Sequence, residues 1–183
     1  MGKRSDFERK ERDYYPTPFE AVIPLLPHII VPYSARGYKA KFIEPCAGDG
    51  RLIRHIETDG HKCVYACDIE PQAEGIETRD VLFFDAPLPP CDMIITNPPW
   101  SRETLHPMIE RFRNHAPTWL LFDSDWLFTA QSSPFMDYAH KIVPVGRISW
   151  EGNGISGMDN CMWVLFMKER NNGYAEFFKR TVD

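Results

Sequence analysis

The sequence has no run of about 18 apolar residues, so it holds nothing that reads as a membrane-spanning helix. The stretch up to Asp13 mixes Lys3, Arg4, Arg9, Lys10 and Arg12 with acids and lacks the apolar segment of a secretory signal; a cytosolic protein with no membrane partner is expected. Cysteine is sparse. The five, at 46, 63, 67, 91 and 161, are odd in number, which points to reduced thiols rather than a disulfide framework. Cys63 and Cys67 have His61 close by, but on one strand they lie too far apart to share an ion. No second ligand pair follows, so they read as small buried residues and no metal is expected. An excess of positive charge is also missing. A formal net charge of −5 excludes a protein that coats nucleic acid without selectivity, while leaving room for a local basic strip. His55, His61, His106 and His140 show no partner spacing that would make a catalytic triad.

What is present is an ordinary globular composition, with 43% hydrophobic and 26% charged residues over 183 positions. That length supports one core. Residues 1–13 read as a charged arm and 14–183 as a single domain, without a separate unit for target recognition. Sequence reading on a nucleic acid would then fall to the segment 124–139, to the glycine-rich loop around 152–157, or to a second subunit, so that a homodimer is allowed.

The chain is organised around Asp92-Met93-Ile94-Ile95-Thr96-Asn97-Pro98-Pro99-Trp100. Met93 to Thr96 read as a buried parallel strand, and two prolines stop it at Asn97. In open α/β sheets ligands bind beyond the carboxyl ends of strands, which turns the Asn97 side chain and the Asn97 and Pro98 carbonyls toward a cleft. Such acceptors suit a planar NH2 group, with Trp100 available to stack on the ring that carries it.

Other segments fit around that strand. Tyr14-Tyr15-Pro16-Thr17-Pro18 is stiff and leads into a helix expected from Pro18 to about Leu26. Lys41 to Glu44 reads as a strand, followed by the turn Pro45-Cys46-Ala47-Gly48-Asp49-Gly50 and a helix to about Thr58. The turn lacks the G-x-G-x-x-G spacing of dinucleotide binders. Lys62 to Asp68 is a second strand ending in an acid placed to accept from ribose hydroxyls. Asp80 precedes a third strand expected at Val81–Phe84. Arg102 to Asn114 reads as a helix, and strands are expected at 119–123, 141–150 and 161–167, the last two pairing antiparallel at one edge.

Taken together, Tyr15-Pro16-Thr17-Pro18, Glu44-Pro45-Cys46-Ala47-Gly48-Asp49-Gly50, Asp68 and Asn97-Pro98-Pro99-Trp100 resemble, in order and placement, the S-adenosylmethionine-dependent amino-methyltransferases. The sequence is most similar to small phage-type DNA adenine methyltransferases with an N-P-P-[FYW] motif. The resemblance implies an α/β, Rossmann-like fold with a mostly parallel seven-stranded sheet, an antiparallel last strand and helices on both faces. It implies S-adenosylmethionine as cofactor, held by Tyr15 to Pro18, by Glu44, Pro45, Cys46, Ala47, Gly48 and Gly50, by Asp68 on the ribose, and by Ile69, Asp80 and Val81 around the adenine. Asn97, Pro98 and Pro99 with Trp100 would form the catalytic motif, and Trp100 and Trp150 would stack on the target. The implied reaction is methylation of adenine N6 in DNA within a bacterium or a phage-infected host cell. Methylation of RNA adenine or of a protein glutamine amide, and a non-catalytic binding role, stay open as alternatives.

Overall fold

A computed structural model describes residues 14–32, 34–83, 87–150, 157 and 159–180. The expected arm at 1–13 and most of the glycine-rich loop lie outside the described residues. Among the described residues eight strands form one mixed sheet: β1 (Lys41–Glu44), β2 (Lys62–Asp68), β3 (Glu77–Thr78), β4 (Met93–Thr96), β5 (Thr118–Asp123), β6 (Ala139–Gly146), β7 (Cys161–Phe166) and β8 (Glu176–Phe177). Their spatial order is β3-β2-β1-β4-β5-β7-β6-β8. β7 runs antiparallel between β5 and β6, and the other pairings are parallel.

Alternation along the strands splits the core in two. Ile43, Ile94, Leu120, Phe122 and Val164 point to one face, where α3 (Arg102–His115) buries Leu105, Met108, Ile109 and Phe112 against them. Phe42, Met93, Ile95, Trp119, Leu121 and Trp163 point to the other. There they meet Ala21 and Val22 of α1 (Phe19–Val22) and Leu52 and Ile56 of α2 (Arg51–Glu57). A fourth short helix, α4 (Ser133–Met136), precedes β6.

Four expectations need correction. The third strand is not Val81–Phe84: Val81 to Phe83 form a turn, because the Asp80 carboxylate accepts the Leu82 N–H at 2.9 Å and bends the chain. Its place is taken by the two-residue β3, and a further two-residue strand, β8, raises the count from seven to eight among the described residues. The helix expected to run to Leu26 stops at Val22, since Pro24 and Pro27 cannot donate to a continuing ladder. The Ala21 carbonyl accepts instead from the Trp163 indole N–H at 2.7 Å. β6 ends at Gly146, whose φ of +88° breaks the extended run short of Trp150. The antiparallel pair is not at the edge: β7 is wedged between β5 and β6, and β8 forms the border.

Candidate active site

β1, β2 and β4 are adjacent and parallel, so their carboxyl ends open onto one rim. A cleft of about 510 Å³ lies along it, lined by Tyr14 to Thr17, Pro45 to Asp49, Asp68 to Glu70, Asp80, Val81, Asn97 and Pro99. Tyr15, Pro16, Thr17, Pro45, Cys46, Ala47, Gly48, Asp68, Ile69, Asp80, Val81, Asn97 and Pro99 are thus brought together as the sequence suggested. Pro18, Glu44, Gly50, Pro98, Trp100 and Trp150 are not among the lining residues.

The glycine turn is shaped by its own hydrogen bonds. Gly48, at φ +51°, donates its N–H to Asp68 Oδ2 at 2.8 Å, and Asp68 Oδ1 accepts the Glu70 N–H at 2.8 Å. One carboxylate therefore ties the loop after β1 to the loop after β2, and each oxygen keeps capacity for a further donor. A Cβ on Gly48 would lie 2.9 Å from Tyr14 Cε2, so the aromatic wall closes on the turn only where that position has no side chain. Gly50 closes the turn through its N–H to the Ala47 carbonyl at 2.7 Å and caps α2 with φ +73°.

Beneath this floor sits Glu44, with 0% exposure. Its Oε1 accepts from Thr96 Oγ1 and from the Cys46 N–H at 3.3 Å, and its Oε2 has no hydrogen-bond partner among the described residues. Burial lifts its pKa to about 8, against the pull of the Thr96 and Cys46 bonds. The carboxyl, which burial makes harder to ionise than an ordinary one, braces β1 against β4 from below rather than lining the cleft. The Cys46 thiol beside it is held well above its ordinary pKa by the same burial, so it is no ready nucleophile.

Asn97 is clamped at all three points of its amide. Its Nδ2 donates to the Tyr15 carbonyl and to Thr17 Oγ1, each at 3.2 Å, and its Oδ1 accepts from Trp100 Nε1 at 3.2 Å. A carbonyl only accepts and an indole N–H only donates, so the amide has one consistent orientation. Both of its N–H donors are consumed on the Tyr15 side. What Asn97 can still offer the cleft is a lone pair on Oδ1. Such a group receives an N–H or O–H and has no hydrogen to give.

Trp100, expected to stack on the target, stands behind Asn97. Its N–H also reaches the Leu121 carbonyl at 3.1 Å, and its ring meets Trp150 edge-on at 5.6 Å. Trp150 in turn lies 6.0 Å from the Tyr15 ring. Three aromatic residues from three separate segments thus gather around Asn97. The segment that carries Trp150 is tied down by Glu20, whose Oε1 accepts the Ser149 N–H at 2.6 Å.

The sequence reading missed the cleft residues supplied by α3. Ser101, Thr104 and Met108 line it, at the i, i+3, i+7 spacing of one helix face, a spacing visible in the sequence. Tyr14 lines the cleft beside Tyr15. Cys63 and Cys67 lie on β2, half-buried and buried respectively, with burial raising their pKa values to about 12 and about 11.

No protein-family model and no curated protein matches the sequence. Solved structures do. A candidate class I S-adenosylmethionine-dependent methyltransferase from Listeria monocytogenes superposes with a TM-score of 0.62 at 10% identity, over 97% of this chain and 68% of its own. This is a class I methyltransferase fold. The same fold relates the chain to a candidate RNA methyltransferase from Pyrococcus horikoshii, with TM-score 0.60, 13% identity and coverage of 86% and 88%. It also relates it to the methyltransferase subunit of a type I restriction-modification system from Streptococcus thermophilus, with TM-score 0.58, 12% identity and coverage of 89% and 47%. In this fold the cleft at the carboxyl ends of β1, β2 and β4 is the position where strand order reverses, the expected place for a ligand.

Proposed function

We propose that this protein transfers a methyl group from S-adenosylmethionine to an exocyclic amine, N6 of adenine in DNA. One observation carries the reading: the acceptor-only Asn97 amide and the Gly48–Asp68 turn line the same cleft. The residues fit the cofactor. Asp68 keeps lone pairs for ribose hydroxyls, exposed Ile69 and buried Val81 offer apolar surface to adenine, and Asp80 offers a carboxylate for its amino group. Tyr14, Tyr15 and the bare Gly48 leave a cradle for the amino-acid end. Bound there, S-adenosylmethionine supplies an electrophilic methyl group.

The chain's part is orientation. An exocyclic base amine is a poor nucleophile because its lone pair is delocalised into the ring. Asn97 Oδ1 and the Pro98 carbonyl, by accepting its two N–H bonds, favour the pyramidal nitrogen that attack requires. The base carrying the amine packs against Tyr15, which Trp150 and Trp100 back in turn. Methyl transfer itself makes the nitrogen acidic, so no strong base is needed; Glu44, fully buried beneath the floor, is not asked to serve as one.

Titration by calorimetry should show binding of S-adenosylmethionine, and its absence removes the reading. Labelled-methyl transfer to unmethylated DNA, RNA and total protein in parallel then assigns the substrate. Label should appear as N6-methyladenine from DNA and vanish in Asn97→Ala while cofactor affinity is largely kept. The alternative, RNA adenine, takes support from the likeness to the P. horikoshii protein, and label confined to RNA would decide for it.

A further inference from the structure

The turn that follows β5 is braced on both sides of a residue it leaves in water. Asp123 Oδ1 accepts the Asp125 N–H at 2.9 Å, and the buried Trp126 donates its indole N–H to His106 of α3 at 3.0 Å. Thr129 Oγ1 donates to the Trp126 carbonyl at 2.8 Å. Ser132 Oγ donates to the Leu127 and Thr129 carbonyls at 3.1 and 2.8 Å. Between these fixed points Phe128 is 86% exposed. A ring exposed by a loose loop says little, but here the local bonds hold it out.

The turn leaves the sheet at the edge onto which the cleft opens, beyond the carboxyl end of β5. β4 and β5 are adjacent and parallel, so Asn97 and the turn 124–128 leave the sheet at the same edge. The Trp100 N–H joins the two strands by way of the Leu121 carbonyl, and the braced turn rests on His106 of α3, the helix that also supplies Thr104 and Met108 to the cleft. An adenine buried in a duplex cannot reach Asn97 without leaving its stack, and its departure opens a gap between the neighbouring base pairs. An apolar wedge beside the active site can fill such a gap and offset the lost stacking.

We propose that Phe128 is that wedge: its ring enters the duplex beside the target and takes the stacking place the adenine vacates. The inference deepens the DNA adenine reading and rests on it. It predicts that the ring matters only where a base pair has to be opened. On single-stranded substrate there is no gap to fill.

The test uses the intact protein, S-adenosylmethionine with a labelled methyl group, and unmethylated genomic DNA, either native or heat-denatured. Phe128→Ala should lower the initial rate on native DNA about tenfold or more and leave the rate on denatured DNA within about twofold. Phe128→Trp, which keeps a stacking ring, should restore the native rate. Tyr174→Ala removes a ring that is 85% exposed beside β8, at the other end of the strands, and should change neither rate. An unchanged melting temperature for Phe128→Ala excludes a folding defect as the cause. Equal loss on both DNA forms, no loss on either, or a wild type active only on denatured DNA overturns the wedge while the methyltransferase reading stands. A wild type that labels neither DNA overturns the DNA reading, and the wedge with it.

Discussion

Asn97 and Trp100 fix one another: the indole N–H lies 3.2 Å from Asn97 Oδ1 and 3.1 Å from the Leu121 carbonyl, so one donor binds the loop after β4 to the neighbouring strand. Trp100→Phe keeps the ring and deletes that donor. The Leu121 carbonyl loses its partner at a cost of about 1–3 kcal/mol, and the Asn97 amide is held by Tyr15 and Thr17 alone. Methyl transfer should fall about tenfold or more in kcat, with S-adenosylmethionine affinity within about twofold, as read by single-turnover rates beside calorimetry.

Asp68→Asn addresses the other half of the cleft. The carboxylate accepts from Gly48 and Glu70, one N–H on each oxygen. An amide turns an NH2 toward one of those donors, so one bond is replaced by a repulsion. Affinity for S-adenosylmethionine should drop about tenfold or more, since hydrogen bonds to charged groups contribute about 1.5–3 kcal/mol each. Calorimetry reads this directly, and undiminished binding would remove Asp68 from the cofactor site.

Gly48→Ala meets two obstacles. Its φ of +51° costs an L side chain about 1–2 kcal/mol, and the added Cβ lies 2.9 Å from Tyr14 Cε2. Thermal unfolding should show that loss, and cofactor binding should weaken as Tyr14 is pushed from the wall. Adding Tyr14→Ala relieves the contact but not the backbone strain, so the double variant should recover only part of the stability.

Glu44 gives the protein a pH dependence of unusual sign for a carboxyl. Its pKa rises from an ordinary 4.5 to about 8 on folding, so between those values the folded state binds a proton that the unfolded state has released. The stabilisation is fully present below 4.5, declines across this window as pH rises, and is gone above about 8. Glu44→Gln keeps an acceptor for Thr96 and Cys46 and cannot ionise. Its melting temperature, measured from pH 5 to 9, should fall less steeply with pH than that of the wild type; parallel profiles would place the charged form in the folded protein.

Much of this was legible in the residues. β1, β2, β4, α2 and α3 lie within a residue of where periodicity and punctuation put them, because each is a local pattern bounded by glycine, proline or a charge. The carboxyl-end rule then gathered Gly48, Asp68 and Asn97 before any coordinates did. β3 escaped because two residues, Glu77 and Thr78, carry no pattern at all. Nothing local says that β7 inserts between β5 and β6, since strand order is settled by which apolar faces and edges meet over long separations. The Asn97 to Tyr15 hydrogen bond escaped for the same reason. It joins residues 82 positions apart and depends on the whole sheet being in place.

The insertion of Cys161–Phe166 has a temporal meaning as well. Synthesis proceeds from the amino end, so Thr118–Asp123 leaves the ribosome long before the strand that covers its outer edge, with which it forms six residue pairs. Until that strand arrives, the ribbon carrying Leu121 has a bare border, and the indole that steadies Asn97 leans on an unfinished support. A nascent chain can therefore shape the Gly48–Asp68 side of its cleft early and gains a firmly held Asn97 only late.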